Sequence, residues 1–200
     1  MNKMLDLVVT ENSTLNNNYC LIKLTTTDKS KLPEMKPGQF VQVRVDNSAT
    51  TFLRRPISIN FVDTATNQMS LLVQMIGDGT RAMGQYQKGD IVNLLLPLGN
   101  TFSQPQSQDK PILLVGGGVG IAPMLFLGSQ LSAKGYSINF LLGARSNNDL
   151  LQLEEFAKYG TVYTTTEDGS HGEKGYVTNH TVLSKSNFSH IYTCGPKPMM

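Results

Sequence analysis

The stretch Leu113-Leu114-Val115-Gly116-Gly117-Gly118-Val119-Gly120-Ile121-Ala122-Pro123-Met124 decides the fold. An apolar run ends in four glycines within five positions, and Leu125, Leu127, Gln130 and Leu131 follow at helical spacing. That order predicts a strand, a tight turn and a helix, with unobstructed backbone N–H groups where the helix begins. A diphosphate or the edge of a dinucleotide suits such a turn. A glycine-rich turn that binds nothing is the competing reading, because the stretch lacks the full G-x-G-x-x-G fingerprint with a distant ribose-binding acid.

Outward from this turn the second half alternates strands with helices. Strands are expected at Ile112–Val115, Ser137–Gly143, Thr161–Thr165 and His190–Cys194. Helices are expected at Ala122–Ala133, at Leu150–Tyr159 behind an Asn148 or Asp149 cap, and near Val177–Leu183, with Gly172–Gly175 opening toward the last. Alternation of this kind implies a parallel sheet covered on both faces, with ligands received where the strands end. Gly116, Gly117, Gly118 and Gly120, Arg145, Glu167-Asp168-Gly169 and Cys194-Gly195-Pro196 all follow strands and should gather at one edge. Arg145 could meet a ribose or adenosine phosphate or be a plain surface arginine. Glu167 and Asp168 could orient a ribose or cap a solvated turn. Cys194 could lie on a flat ring or be a small buried residue, and without a neighbouring base it is no nucleophile.

The first half has another rhythm. Met4–Val9, Tyr19–Thr25, Phe40–Val45, Ile57–Phe61, Met69–Met75 and Ile91–Leu96 read as six short strands separated by turn residues, with hardly any helical periodicity. They indicate a small antiparallel barrel. Arg54-Arg55-Pro56-Ile57-Ser58 puts two guanidiniums and a hydroxyl at a strand mouth, where a phosphate would fit as well as solvent. Gly77-Asp78-Gly79-Thr80-Arg81-Ala82-Met83 could hold an anion at a short helix capped by Thr80, or be an ordinary capped turn. The expected organisation is a barrel over residues 1–103, a polar linker over 103–110 and an α/β domain over 111–200.

Bulk properties narrow the partners. The chain has 200 residues, 40% hydrophobic and 16% charged, with a net charge of +2, too small to suggest nucleic acid. No apolar run is long enough to cross a bilayer and no signal-peptide core leads the chain, so the expectation is cytoplasmic. Two cysteines, Cys20 and Cys194, and three histidines without ligand spacing make no metal site. Ser129 lies inside a helix pattern, so no hydrolase constellation emerges. The missing acid or base fits a protein that holds two redox cofactors, because hydride passes directly between them when they are held nearly in contact.

In their order these motifs resemble the ferredoxin–NAD(P)H reductase superfamily, an FAD-binding six-stranded barrel followed by a pyridine-nucleotide domain. Its Arg-x-Tyr/Phe-Ser signature falls on Arg55, Pro56, Ile57 and Ser58. The resemblance implies that Arg55 meets the FAD diphosphate and that Ser58 hydrogen-bonds near flavin N5. Gly77, Asp78, Gly79 and Thr80 match its Gly-x-Gly-Thr turn, which holds the diphosphate from the other side. Leu72, Val73 and Gln74 lie where its second FAD strand passes. Gly116 to Pro123 match its glycine stretch for NAD, and Cys194-Gly195-Pro196 its Cys-Gly-Pro element beside the nicotinamide. Ile57 stands where the superfamily often has an aromatic ring, giving up stacking while still covering the flavin.

The double arginine with Pro56, Pro97-Leu98-Gly99-Asn100, and Cys194-Gly195-Pro196-Lys197-Pro198-Met199 are similar to the family of electron-transfer subunits of type B dihydroorotate dehydrogenases. This implies an FMN-containing dihydroorotate dehydrogenase catalytic subunit as partner, pyrimidine biosynthesis as setting, and electrons passing through FAD to NAD. It also implies a [2Fe-2S] centre held by cysteines beyond the Cys-Gly-Pro element in a complete protein, so a truncated chain is expected and no iron–sulfur ligand is assigned. A free-standing NAD(P)H-dependent flavin or ferredoxin reductase shares every one of these motifs, and a non-catalytic nucleotide-binding regulator is the alternative of another class.

Overall fold

The protein's structure, a computed structural model, describes residues 2–106 and 109–196. The chain divides into two compact units, Met1–Thr101 and Phe102–Met200. Ser107 and Gln108 of the polar segment, and Lys197, Pro198 and Met199 of the C-terminal motif, lie outside the described residues.

The first unit is a closed antiparallel barrel of six strands, in the order β1-β2-β5-β4-β3-β6. They are β1 (Lys3–Asn16), β2 (Tyr19–Thr26), β3 (Phe40–Val43), β4 (Arg55–Asp63), β5 (Gln68–Gln74) and β6 (Ile91–Leu98). Alternation sends Leu7, Val9, Ile22, Leu24, Val41, Val43, Ile59, Met69, Leu71, Val92, Leu94 and Leu96 inward, all buried. β1 runs seven residues further than the hydrophobic pattern predicts. Its register shifts at Val9/Glu11 and at Thr14/Asn16 break the apolar alternation while the backbone ladder continues. β3 stops at Val43, two residues short, although the Arg44 N–H still reaches the Asn93 carbonyl at 2.9 Å. β4 begins at Arg55, so Pro56 is a strand residue paired with Gln42.

The second unit is a five-stranded parallel sheet, order β10-β9-β8-β7-β11. Its strands are β7 (Ile112–Gly117), β8 (Ile138–Ala144), β9 (Thr161–Thr166), β10 (Glu173–Lys174) and β11 (His190–Cys194). β10 is a strand the sequence does not announce: within Gly172–Gly175, ahead of the helical turns, Glu173 and Lys174 pair with Thr165 and Thr166. Between the short α1 (Asp78–Met83) of the first unit and these strands no other α-helix is described; α2 (Ala122–Ala133) follows β7 after a 3₁₀ turn over Gly118–Ile121. The helix expected over Leu150–Tyr159 shrinks to α3 (Leu153–Ala157). Asn147–Asp149 is a separate 3₁₀ turn, and Gln152, with φ 58°, takes the cap position of α3 without a side-chain capping bond. The last expected helix splits into a 3₁₀ turn at Val177–Asn179 and α4 (Val182–Lys185). Short polar runs satisfy local turns as readily as one helix, and periodicity cannot separate the two.

One face of the sheet packs Leu113, Val115 and Leu141 against Val177 and Val182. The other takes α2, which is buried almost all round. Residues 102–106 are tied to this unit. The Tyr192 hydroxyl donates to Ser103 O at 2.8 Å, Phe102 meets the Tyr192 ring edge-on, and Lys134 Nζ donates to Gln104 Oε1.

Close approach of α2 to the sheet depends on Gly128. A Cβ there would overlap the Phe140 ring, which is itself locked edge-on against Phe156 with centroids 4.9 Å apart. Gly128→Ala gains about 1 kcal/mol of helix propensity but forces a core ring aside at about 1–3 kcal/mol. The expected result is a net loss in urea unfolding; a variant more stable than the parent would show that Phe140 has room to move.

Candidate functional site

The barrel cycle closes, yet one seam is paired along only half its length. β4 and β5 pair from Asp63↔Gln68 to Ile59↔Leu71, with a register shift between Phe61 and Ile59, and no pair follows. Beyond that point Arg55–Ser58 pair with β3 alone and Leu72–Gln74 with β2 alone. The two segments singled out in the sequence are therefore the facing, unpaired edges of one opening. Leu72 and Val73 are fully buried, so backbone is what they can offer a ligand; Gln74, Ile57 and Ser58 are half-buried, and Pro56 is exposed. Pro56 has no N–H to leave unsatisfied there.

At the mouth of this opening sits α1. Its six residues start after Gly77, and Thr80 caps them as expected, from the third helical position rather than from the N-cap itself. The Thr80 hydroxyl reaches back to accept from the N–H groups of Ile76 and Gly77, each at 3.1 Å, and donates to Gly77 O at 3.0 Å. Two asparagines hold the other end: Asn12 Nδ2 donates to the carbonyls of Met83, Gly84 and Tyr86, and Asn47 Nδ2 to Ala82 O. The Asp78 carboxylate accepts from Thr50 Oγ1 at 2.8 Å, which turns its charge toward the 48–51 loop.

Gly79 brings the two motifs together. A Cβ built on it would lie 2.8 Å from Thr51 Cγ2 and 3.1 Å from Arg55 Cδ, so only glycine lets the arginine stem and the loop pass so close. Gly77 has open space above it. The Arg55 guanidinium has no hydrogen bond or ion pair among the described residues, and neither does the Ser58 hydroxyl. A half-buried cation with free donors beside a glycine turn fits a diphosphate, and an apolar slot edged with unpaired backbone fits a flat heterocycle. Thr50 and Thr51, which shape this corner, were not legible as site residues; two threonines before a double arginine carry no motif.

In the second unit the strand ends meet as expected. β7, β8, β9 and β11 are parallel, so Gly117, Ala144, Thr166 and Cys194 finish at one edge. A Cβ on Gly120 would overlap the Cys194 carbonyl and come within 2.6 Å of Gly195 Cα, which packs the glycine turn directly on Cys194-Gly195. Gly118 needs its φ of 54°, and a Cβ on Gly116 would meet Ile121 at 2.9 Å. Pro123 is the second residue of α2, where a missing N–H costs nothing. At β8 and β9, Asp168 N–H donates to Arg145 O at 3.2 Å, while the Arg145 guanidinium has no partner among the described residues. The Asp168 carboxyl is held below its ordinary range by the Ser170 hydroxyl and N–H, so it is a fixed anion beside Arg145. Glu167 N–H closes the same turn on Ala144 O. Pro196 is exposed at the end of the described chain.

Comparison with known proteins now has a geometry to explain. Over 179 residues the chain is 38% identical to the dihydroorotate dehydrogenase B (NAD(+)) electron transfer subunit of Geobacillus kaustophilus (strain HTA426), covering 89% of this chain and 70% of that protein. The chain belongs to this family of electron-transfer subunits. The corresponding Fusobacterium nucleatum subunit is 36% identical over 169 residues, covering 82% of this chain and 65% of its relative. Residues 114–200 match the oxidoreductase NAD-binding domain family. Among solved structures, a chain of NADH-dependent reduced ferredoxin-NADP oxidoreductase is 27% identical with a TM-score of 0.82, covering 98% of this chain and 69% of that one. The ferredoxin reductase of carbazole 1,9a-dioxygenase has the same fold, with a TM-score of 0.82 at 17% identity over 99% of this chain and 63% of its own. These matches establish an NAD-linked flavoprotein fold, a barrel followed by a nucleotide-binding sheet.

A [2Fe-2S] centre does not fit the residues present. It takes four ligands, the sequence has two cysteines, and the described residues hold no group of three or more His, Cys, Asp or Glu able to bind a metal. Neither cysteine is primed for chemistry. Burial pushes the Cys20 thiol up to about 11 and raises that of Cys194 as well. A raised thiol pKa means less thiolate at a given pH, so at pH 8 only about one Cys20 in a thousand is ionised. Ellman's reagent at pH 8 is expected to modify the half-buried Cys194 slowly and Cys20 only after unfolding; rapid labelling of both in the native state would contradict this burial.

Proposed function

We propose that this chain is the electron-transfer subunit of a dihydroorotate dehydrogenase, carrying electrons between a partner flavin subunit and NAD by way of FAD. The half-open β4/β5 seam, with free Arg55 at its mouth, is the observation that carries the reading. FAD, when bound, supplies exchange of hydride with nicotinamide and one-electron exchange with a partner.

The chain's own groups then have defined work. Arg55 offers its guanidinium fork to the diphosphate, and the Gly77–Thr80 turn leaves room for the phosphates to approach the backbone. Ile57 gives the flavin an apolar surface, Ser58 a hydroxyl, and Leu72–Gln74 backbone donors and acceptors along the far edge. In the second unit, Gly116, Gly117, Gly118 and Gly120 with Pro123 open the turn before α2 to the NAD diphosphate. Arg145 serves the adenosine side, and Cys194, Gly195 and Pro196 bound the nicotinamide side. No side chain has to donate or accept a proton. The Cys194 thiol, kept protonated by burial, offers a soft uncharged contact.

The family supports an FMN-containing dihydroorotate dehydrogenase catalytic subunit as partner and pyrimidine biosynthesis in the cytoplasm as setting, with dihydroorotate giving electrons and NAD taking them. Among the described residues no helix is long and apolar enough to cross a membrane.

The protein as purified is expected to be yellow, with flavin absorption that bleaches on anaerobic addition of NADH; a colourless protein that takes up no FAD would overturn the reading. Arg55→Ala is expected to weaken FAD binding by about 10- to 100-fold, and by more than Arg54→Ala, since a charge-assisted phosphate contact is worth about 1.5–3 kcal/mol. Unchanged FAD binding by Arg55→Ala would remove Arg55 from the diphosphate site.

A further inference from the structure

We infer that Arg54 is a positioning residue for this FAD site and acts through Arg55; the inference rests on the flavin reading above. The two arginines are neighbours with opposite surroundings. Arg54 lies over the outside of the barrel, where Nη1 donates to Gln42 O at 3.3 Å and to Asn93 O at 3.1 Å, and Nη2 to Asn93 Oδ1 at 2.5 Å. Asn93, 9% exposed, passes the connection on, its Nδ2 donating to Asp6 Oδ1 at 2.6 Å. One guanidinium thereby staples the residue before β4 to β3, β6 and, through an amide, β1.

Adjacent residues entering a strand send their side chains to opposite faces. Fixing Arg54 on the outer face therefore commits Arg55 to the other, where its Cδ lies beside Gly79. Pairing with Val43 holds the Arg55 backbone from the β3 side, while its guanidinium has no protein partner among the described residues. The loop before it, pinned to α1 by Asn47 and Thr50, still leaves Phe52 91% and Leu53 76% exposed, so the two residues immediately ahead of Arg54 contribute no packing to hold it. The staple fixes the residue that enters β4 and, with the Val43 pairing, the direction in which Arg55 leaves it. Lysine cannot replace it fully, because a single ammonium lacks the planar fork that spans two carbonyls and an amide oxygen.

A double-mutant cycle on FAD binding tests this. The full chain and its Arg54→Ala, Arg55→Ala and double variants are titrated with FAD, following the quenching of flavin fluorescence. Arg54→Ala is expected to weaken binding about tenfold while Arg55 is present and hardly at all once Arg55 is alanine. Arg54→Lys should recover part of the loss. Equal losses in both backgrounds would mean that Arg54 supports the barrel generally, and unchanged binding by Arg54→Ala would mean that it positions nothing; either overturns the inference. If Arg54→Ala does not fold, Arg54→Lys and Asn93→Ser, each with and without Arg55, complete the same cycle. A parent protein that binds no FAD would instead bring down the flavin reading, a result separable from the cycle.

Discussion

Two strands of a closed barrel that stop pairing halfway leave backbone N–H and C=O groups with no ladder partner, and the first unit is arranged around that cost. Past Ile59↔Leu71 the open edge lacks one donor from the start. Pro56 carries no donor. Ile59 N–H donates to Gln39 O at 3.1 Å and Met75 N–H to Asn18 O at 2.7 Å, which extends the β4–β3 and β5–β2 ladders on the sides away from the seam. What stays unpaired faces a slot edged by Ile57 and Ser58, the combination of apolar wall and few directed polar groups that receives a flat heterocycle. Continuous β4–β5 pairing would make a better barrel and abolish the site.

The second unit meets a different constraint, the crowding of parallel strand ends. Gly117, Gly143 and Thr165 are lateral neighbours across β7, β8 and β9. A Cβ on Gly143 would lie 2.5 Å from Val177 Cγ1, and one on Gly120 would overlap the Cys194 carbonyl. Each glycine admits a different neighbour: a side chain across the sheet at Gly143, the adjoining strand's exit at Gly120. The turn after β7 is thus held from both sides before any nucleotide arrives, and binding need not order it.

Sequence reading recovered the two-part architecture and the placement of Arg55, Gly79 and the Gly116–Gly120 turn, because these rest on local signals: alternation, turn chemistry and the switch from period two to period 3.6. It misjudged β1, whose two register shifts disguise one long strand as a strand and a loop. Thr80 does cap α1, but from its third residue, a position that one dimension does not separate from the N-cap itself. The 150–185 segment divides into short turns for the same reason that its helices were hard to bound: Asn, Ser and Thr side chains compete for the backbone there. The open seam itself was invisible. Pairing between residues 59 and 71 is a property of register, and register is settled by strands distant in the chain.

Division of labour between Arg54 and Arg55 follows from the same geometry. An arginine at a strand mouth carries its charge on a rotating stem whose ordering costs about 1.5–2 kcal/mol when an anion binds, so what the protein fixes in advance is the backbone it projects from. Spending one guanidinium on Gln42, Asn93 and, through Asn93, Asp6 fixes the backbone from which the next one projects. Pro56 stiffens the residue on the other side. Arg55 then leaves a backbone held by the Arg54 staple before it and by pairing with Val43 across the ladder, and its stem passes beside Gly79.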